Sequence, residues 1–147
     1  MSRPAKTPAA ALQLMPGHLI RRAQQLHNAL FAEECGRLDL TSVQFAALFA
    51  IRGSGEIDAT RLAAEIGFDR ATIGDVVDRL QTKGWIARSG DPADRRIKRI
   101  RLTPSGTALL AEVEPAVALV QQRMLEPFSV EERDQLMALL RRLDRLP

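Results

Sequence analysis

The stretch from Asp58 to Gly84 is punctuated too closely to hold anything but short helices. Asp58 is an N-cap residue placed just ahead of Leu62, Ala63 and Ile66 at helical spacing, and Gly67 stops that pattern after about two turns. Asp69 then caps a second helix over about 70–83, with Ile73, Val76, Val77 and Leu80 facing inward and Gly84 as its terminator. Two short helices divided by a tight glycine-containing turn predict a helix-turn-helix. Directly afterwards, Trp85–Ser89 and Ile97–Leu102 are rich in strand formers and arginine, with Gly90, Asp91, Pro92, Ala93 and Asp94 supplying turn chemistry between them. That pattern predicts a hairpin with a long charged tip.

Helices flank this unit. Leu19, Ala23, Leu26 and Leu30 form one apolar stripe from Pro16 to about Glu34, ended by Gly36. Thr41 and Gln44 have capping-box spacing and open a helix over about 42–52. With Val43, Ala46, Ala47 and Ala50 on one side and Phe45 and Phe49 on another, that helix requires cover on both sides. Thr103 and Pro104 start a further helix to about Glu126, with a kink expected at Pro115. Ser129 and Glu132 form a second capping box ahead of Leu136, Leu139, Leu140 and Leu143. Residues 1–10, with Pro4 and Pro8 and no apolar repeat, read as a flexible arm.

Of the 147 residues, 46% are apolar and 27% charged, an ordinary globular composition, and such a chain buries enough surface for one core without staples. A single cysteine, Cys35, excludes an intramolecular disulfide framework and a multi-cysteine zinc site. No apolar core of a signal peptide and no 18-residue apolar run is present, so a cytoplasmic protein with no membrane span is expected. There is no serine–histidine–acid spacing, glycine-rich phosphate loop or paired-histidine motif, so neither an enzyme nor a metal or cofactor site is expected.

The charge is concentrated. Lys83, Arg88, Arg95, Arg96, Lys98, Arg99 and Arg101, opposed by Asp91 and Asp94, give +5 within nineteen residues, against +3 for the whole chain. A basic hairpin after a helix pair is the electrostatic footprint expected for duplex DNA; a solvated surface hairpin is the alternative. The helix 70–83 turns Ala71, Thr72, Asp75, Asp78, Arg79 and Thr82 outward, small and polar enough to enter a major groove. The same face could instead be a solvated surface closed by an Asp75–Arg79 ion pair. Asp75 and Asp78 repel phosphates and count against non-specific affinity.

Taken in order, Leu40-Thr41-Ser42-Val43-Gln44-Phe45, Leu62-Ala63-Ala64-Glu65-Ile66-Gly67, Val77-Asp78-Arg79-Leu80 and Lys83-Gly84-Trp85-Ile86-Ala87-Arg88 resemble the MarR family of winged helix-turn-helix regulators. Asp91-Pro92-Ala93-Asp94-Arg95-Arg96, followed by Leu102-Thr103-Pro104-Ser105-Gly106, resembles it more closely still. The likeness covers about 40–145. It implies a mainly α fold with a small β-wing. Residues 11–147 would form one domain: a DNA-binding lobe over 40–103, and dimerisation helices over 16–39 and 104–147. It also implies a homodimeric, ligand-responsive transcription factor, a repressor in the commoner case, reading a pseudo-palindromic DNA operator. By the family's Asp-x-Arg pattern, Arg96 enters the minor groove while Asp94 holds the wing in shape. Arg95 becomes a phosphate contact, and Arg70, Thr72, Asp75, Arg79, Arg88 and Lys98 complete the candidate DNA set. Gly74-Asp75 departs from the larger polar or basic residues that members often carry in the recognition helix.

The leucine faces of the terminal helices exceed what one winged lobe can cover, an independent reason to expect a two-fold dimer. His18 and Arg22 lie one turn apart, with Arg21 projecting to the opposite side. Together with Phe45 and Phe49 they would hold a small aromatic carboxylate between the helices 16–34 and 42–52, biasing lobe orientation and recognition-helix spacing. A structural histidine and a solvated arginine are the alternative, and His27 reads as structural. Cys35 could sense oxidants, but Glu33 and Glu34 beside it raise a thiol pKa. A helical protein-interaction module whose winged lobe does not bind DNA is the rival reading.

Overall fold

The structure, a computed structural model, describes residues 8–145. In order these are α1 (Pro8–Leu12), α2 (Pro16–Cys35), a 3-10 turn (Gly36–Leu38), α3 (Ser42–Ser54), α4 (Ala59–Ile66) and α5 (Arg70–Thr82). The strands β1 (Ile86–Gly90) and β2 (Lys98–Leu102) and the helices α6 (Pro104–Leu125) and α7 (Val130–Asp144) follow. This is the mainly helical fold with a small wing that the sequence predicts.

Local chemistry sets the boundaries. Thr41 and Gln44 exchange the two bonds of a capping box at 3.2 Å each, and Ser129 and Glu132 form a second box ahead of α7 at 2.8 and 3.2 Å. The Asp58 carboxylate accepts the Arg61 N–H at 2.9 Å, and the Asp69 carboxylate accepts that of Thr72 at 2.8 Å. Gly67, at φ 72°, closes α4 in the left-handed region that favours glycine.

Several expectations need correction. The arm is helical from Pro8, because a proline fits the first turn of a helix, where its missing N–H would be an orphan; the rest of that arm lies outside the described residues. Trp85 and Ile97 fall outside the strands. Ile97 closes the wing tip instead, its carbonyl accepting the Asp91 N–H at 2.9 Å and its N–H bonding to Asp94 at 3.0 Å. In the stripe on α2 only Leu30 is buried, while Leu19 and Leu26 stay about half exposed. Phe49 is likewise 49% exposed, although the rest of the apolar surface of α3 is buried or half-buried within this chain. Pro115 sits inside α6 without ending it.

The strands pair antiparallel, Ile86 opposite Leu102 through Gly90 opposite Lys98, and Ile57 adds an isolated bridge to Ile100. One core runs through both parts of the chain. Leu48, Ile51, Leu62, Ile73, Leu80 and Ile100 fill the winged lobe, while Leu110, Val113 and Val120 of α6 pack with Phe31 and Cys35 of α2. The α7 helix contributes nothing to it and has no buried residue.

The join between wing and α6 is a backbone contact. Thr103 donates its N–H to the Trp85 carbonyl at 3.1 Å and its hydroxyl to the Gly84 carbonyl at 2.6 Å. Its oxygen also caps Gly106 N–H at 3.1 Å. A Cβ on Gly106 would lie 2.0 Å from the Trp85 carbonyl oxygen, so only glycine fits. Gly106→Ala should therefore cost about 3 kcal/mol or more, read as a fall in melting temperature of roughly 6–12 °C. Gly17→Ala, with nothing within 4 Å of the added methyl, should instead be neutral or stabilising by up to about 1 kcal/mol.

Candidate nucleic-acid interface and ligand cleft

The wing takes its shape from carboxylates. One Asp91 oxygen accepts the N–H groups of Ala93 at 2.8 Å and Asp94 at 3.3 Å, and the other receives Arg99 at 2.8 Å. Asp91 is buried despite sitting at a hairpin tip. The Ala93 N–H and then the Arg99 guanidinium hold its carboxyl below the usual range. Asp94 receives the Arg96 N–H at 3.0 Å and its guanidinium at 3.1 and 3.2 Å, which lowers its pKa as well. The Arg96 side chain is nevertheless 91% exposed, so the pair aims it outward without covering it.

The remaining candidates divide by position. Arg88, on β1, bonds Gln81 at 2.6 Å and Asp78 at 2.7 Å, both on α5, so it ties wing to helix and neutralises one of the outward carboxylates. Arg70, in the first turn of α5, donates to the Thr60 hydroxyl of α4. Arg95 and Lys98 are exposed on the wing. Between α4, α5 and the wing lies a cavity of about 620 Å³ whose lining includes Thr60, Arg61, Arg70, Arg88, Arg96 and Lys98. Its cationic lining can follow a phosphate backbone.

Thr72, Asp75 and Arg79 face elsewhere. The Thr72 hydroxyl is engaged in the N-cap, donating to Asp69 at 2.8 Å, and its side chain is half-buried rather than fully outward. Among the described residues Asp75 and Arg79 form no ion pair. All three line a second cavity, of about 640 Å³, together with Gln24, Asn28 and Phe31 of α2 and the start of α3. This cavity lies between the two helices expected to hold a ligand, yet His18, Arg22, Phe45 and Phe49 are not on its wall. Phe45 and Phe49 stand 5.7 Å apart in a row of rings that continues through Phe31 to His27. Phe49 also lies under the Arg52 guanidinium, which reaches Glu114 of α6. The partner of His18 is Arg21, at 3.1 Å, and not a residue on the far side of the helix. The His18 Nε2 is buried without a partner. Burial, and next the Glu34 carboxylate, push the Cys35 thiol up, the opposite of what an oxidant sensor needs. Glu33 and Glu34 are themselves held by Arg123 of α6, at 2.6 and 2.7 Å.

Sequence reasoning missed Thr60, Arg61, Gln24 and Asn28, and it placed Asp91 and Arg99 in the charged wing without pairing them. Hairpin register would have paired those two: Arg99 stands opposite Ser89, so Asp91, two residues on, is its diagonal neighbour on one face. The others come together only when α2 and α4 are placed against α5. Among the described residues no helix is long and apolar enough to cross a membrane, and no group of side chains could hold a metal.

Known proteins share this fold. The family model of the MarR family matches residues 40–98. The chain is 35% identical over 127 residues to the HTH-type transcriptional repressor NicR of Pseudomonas putida, a match spanning 86% of this chain and 80% of that protein. BpsR of Bordetella bronchiseptica, in a structure explaining regulation of its DNA binding by 6-hydroxynicotinic acid, matches with TM-score 0.87 and 34% identity, covering 92% of this chain and 96% of that one. A variant of MarR from E. coli complexed with operator DNA gives TM-score 0.83 and 29% identity over 92% of this chain and 96% of that one.

Because its folded pKa is lowered, Asp91 stabilises the wing fully above its unfolded value of about 3.9 and loses that effect as pH falls through the folded value. Amide exchange at Ala93 and Asp94 should thus stay slow at pH 5. In Asp91→Ala those two amides should exchange at least tenfold faster at pH 7, while global melting shifts little.

Proposed function

The chain belongs to the MarR family of transcriptional regulators, and from that premise we propose that it is a repressor that binds a pseudo-palindromic operator as a homodimer and is released by a small aromatic or pyridine carboxylate. The observation that carries the DNA reading is Arg96, exposed at the wing tip and aimed by Asp94, beside the cationic cleft along α5. An arginine so held gains from the enhanced negative potential of a narrow minor groove. Repression follows the name of NicR, and the ligand class follows the 6-hydroxynicotinic acid that regulates BpsR.

A dimer is supported by what the chain leaves uncovered. Leu14, Met15, Leu19 and Ile20 near the N-terminus, and Val130, Leu139, Leu140 and Leu143 on α7, are each 46–67% exposed. Burying such a side chain is worth about 1.5–3 kcal/mol, so the two ends of the chain favour a second copy. The effector site is the cavity of about 640 Å³ between α2, α3 and α5, within the size range of small-molecule pockets. A hundredfold release requires only about 2.8 kcal/mol of coupling between that site and the operator.

Light scattering at micromolar concentration should give twice the 16.3 kDa chain mass; a stable monomer rejects the dimer. Duplexes from upstream of the protein's own gene, titrated by fluorescence polarisation, should reveal a specific site. Losing Arg96 from both wings costs about 2–6 kcal/mol, so Arg96→Ala should bind that site at least about thirtyfold more weakly with an unchanged circular dichroism spectrum. Equal affinity rejects the wing assignment.

A further inference from the structure

We infer that Arg52 and Glu114 are positioning residues that set the angle between the DNA-reading lobe and the terminal helices, and with it the half-site spacing the dimer accepts. This rests on the reading of the chain as a dimeric operator-binding protein. The helix α6 belongs to both parts. Its first turn is locked to the root of the wing, where Gly106 meets the Trp85 carbonyl and Thr103 bonds Gly84 and Trp85. Its last turns lie on α2, through Val120 in the core and through Arg123 on Glu33 and Glu34. Pro115 stands between these two anchorages. It has no N–H to offer the Ala111 carbonyl, and its ring crowds that carbonyl, so α6 bends most readily there. Ala111 and Pro115 are both exposed, which lets water satisfy the freed carbonyl as the helix bends.

This weak point carries a strut. Arg52, near the end of α3, pairs with Glu114, the residue just before Pro115. Among the described residues this is the one ion pair between α3 and α6. The Arg52 guanidinium is also held on its face, 4.8 Å from the centroid of the Phe49 ring. Phe49 continues through Phe45, at 5.7 Å, to Phe31 of α2, a further 6.2 Å away. A run of contacts thus crosses from α6 over α3 to α2, along the seam between the reading lobe and the terminal helices. The Arg52 and Glu114 side chains are 38% and 41% exposed, so the pair adds little stability. Its effect is on geometry: an arginine with its face on Phe49 and its edge on Glu114 fixes the separation of α3 from the bend in α6. In a dimer the two reading helices must meet half-sites one DNA turn apart, about 34–36 Å, or a multiple of that. One base pair more or less moves a half-site by about 3.4 Å along the axis and by about a tenth of a turn around it. A lobe held at a fixed angle cannot follow. Without the strut, α6 bends at Pro115 and the lobe follows.

The test uses the full-length chain and its operator, unaltered or with the centre lengthened or shortened by one base pair, titrated by fluorescence polarisation. Wild type should bind each altered duplex at least about tenfold more weakly than the unaltered one. Arg52→Met, which keeps its stem on Phe49, and Glu114→Gln should each lose about threefold or less. Both should keep an affinity for the unaltered duplex within about fivefold of wild type and a melting temperature within about 2 °C. Adding Pro115→Ala to Arg52→Met returns the helical N–H bond and should restore the tenfold discrimination. A wild-type spacing profile in either single variant overturns the inference, as does a uniform loss on all three duplexes or a double variant as tolerant as Arg52→Met. A wild type indifferent to spacing overturns it too and leaves operator binding standing. If wild type binds no duplex specifically, the operator reading itself falls.

Discussion

The contact between Gly106 and the Trp85 carbonyl fixes everything around it. Two stretches of backbone approach there more closely than any side chain permits, and Thr103 holds them with bonds to Gly84 and Trp85. The end of the recognition helix, the root of the wing and the start of α6 therefore meet within a few residues. Lys83 extends the junction by lying over Trp85 while reaching Asp39 and Gln44 at the entry to α3. One ammonium group thus links Asp39 and Gln44, which line the cavity, to Trp85 at the base of the wing.

The wing's basic run is less free than its composition suggests. Arg88, Arg96 and Arg99 are each paired with a carboxylate, on Asp78, Asp94 and Asp91, whereas Arg95, Lys98 and Arg101 carry no ion pair among the described residues. Exposed pairs of this kind add little to stability. Their effect is geometric, since they fix which way the hairpin points and which arginines are presented. The charge excess attracts a polyanion; the pairing decides how the surface meets it.

Elements governed by neighbours along the chain are legible in the amino-acid sequence. Capping residues at Thr41, Asp58, Asp69, Thr103 and Ser129 each place a helix start where it is found, because a side-chain oxygen and an N–H two or three residues on need nothing else. The wing arginine and its aspartate are picked out by the family's Asp-x-Arg pattern, and the two side chains are bonded in the structure. Features set by packing between distant segments are not. The Thr72 hydroxyl is drawn into its own cap, the wing depends on the diagonal Asp91–Arg99 pair, and the cavity wall is shared by residues more than forty positions apart. Arg21, expected opposite His18, is instead its neighbour on the same face, as the i,i+3 spacing of a helix requires.

The α7 helix, with every described side chain exposed or at most half-buried, owes little to the rest of its own chain. A helix of fifteen residues is marginal by itself in water. Its order therefore belongs to whatever covers it, and by mass action to how much of that cover is present. Where that cover is the second copy proposed above, the order of the C-terminal helix rises with the concentration of the chain itself.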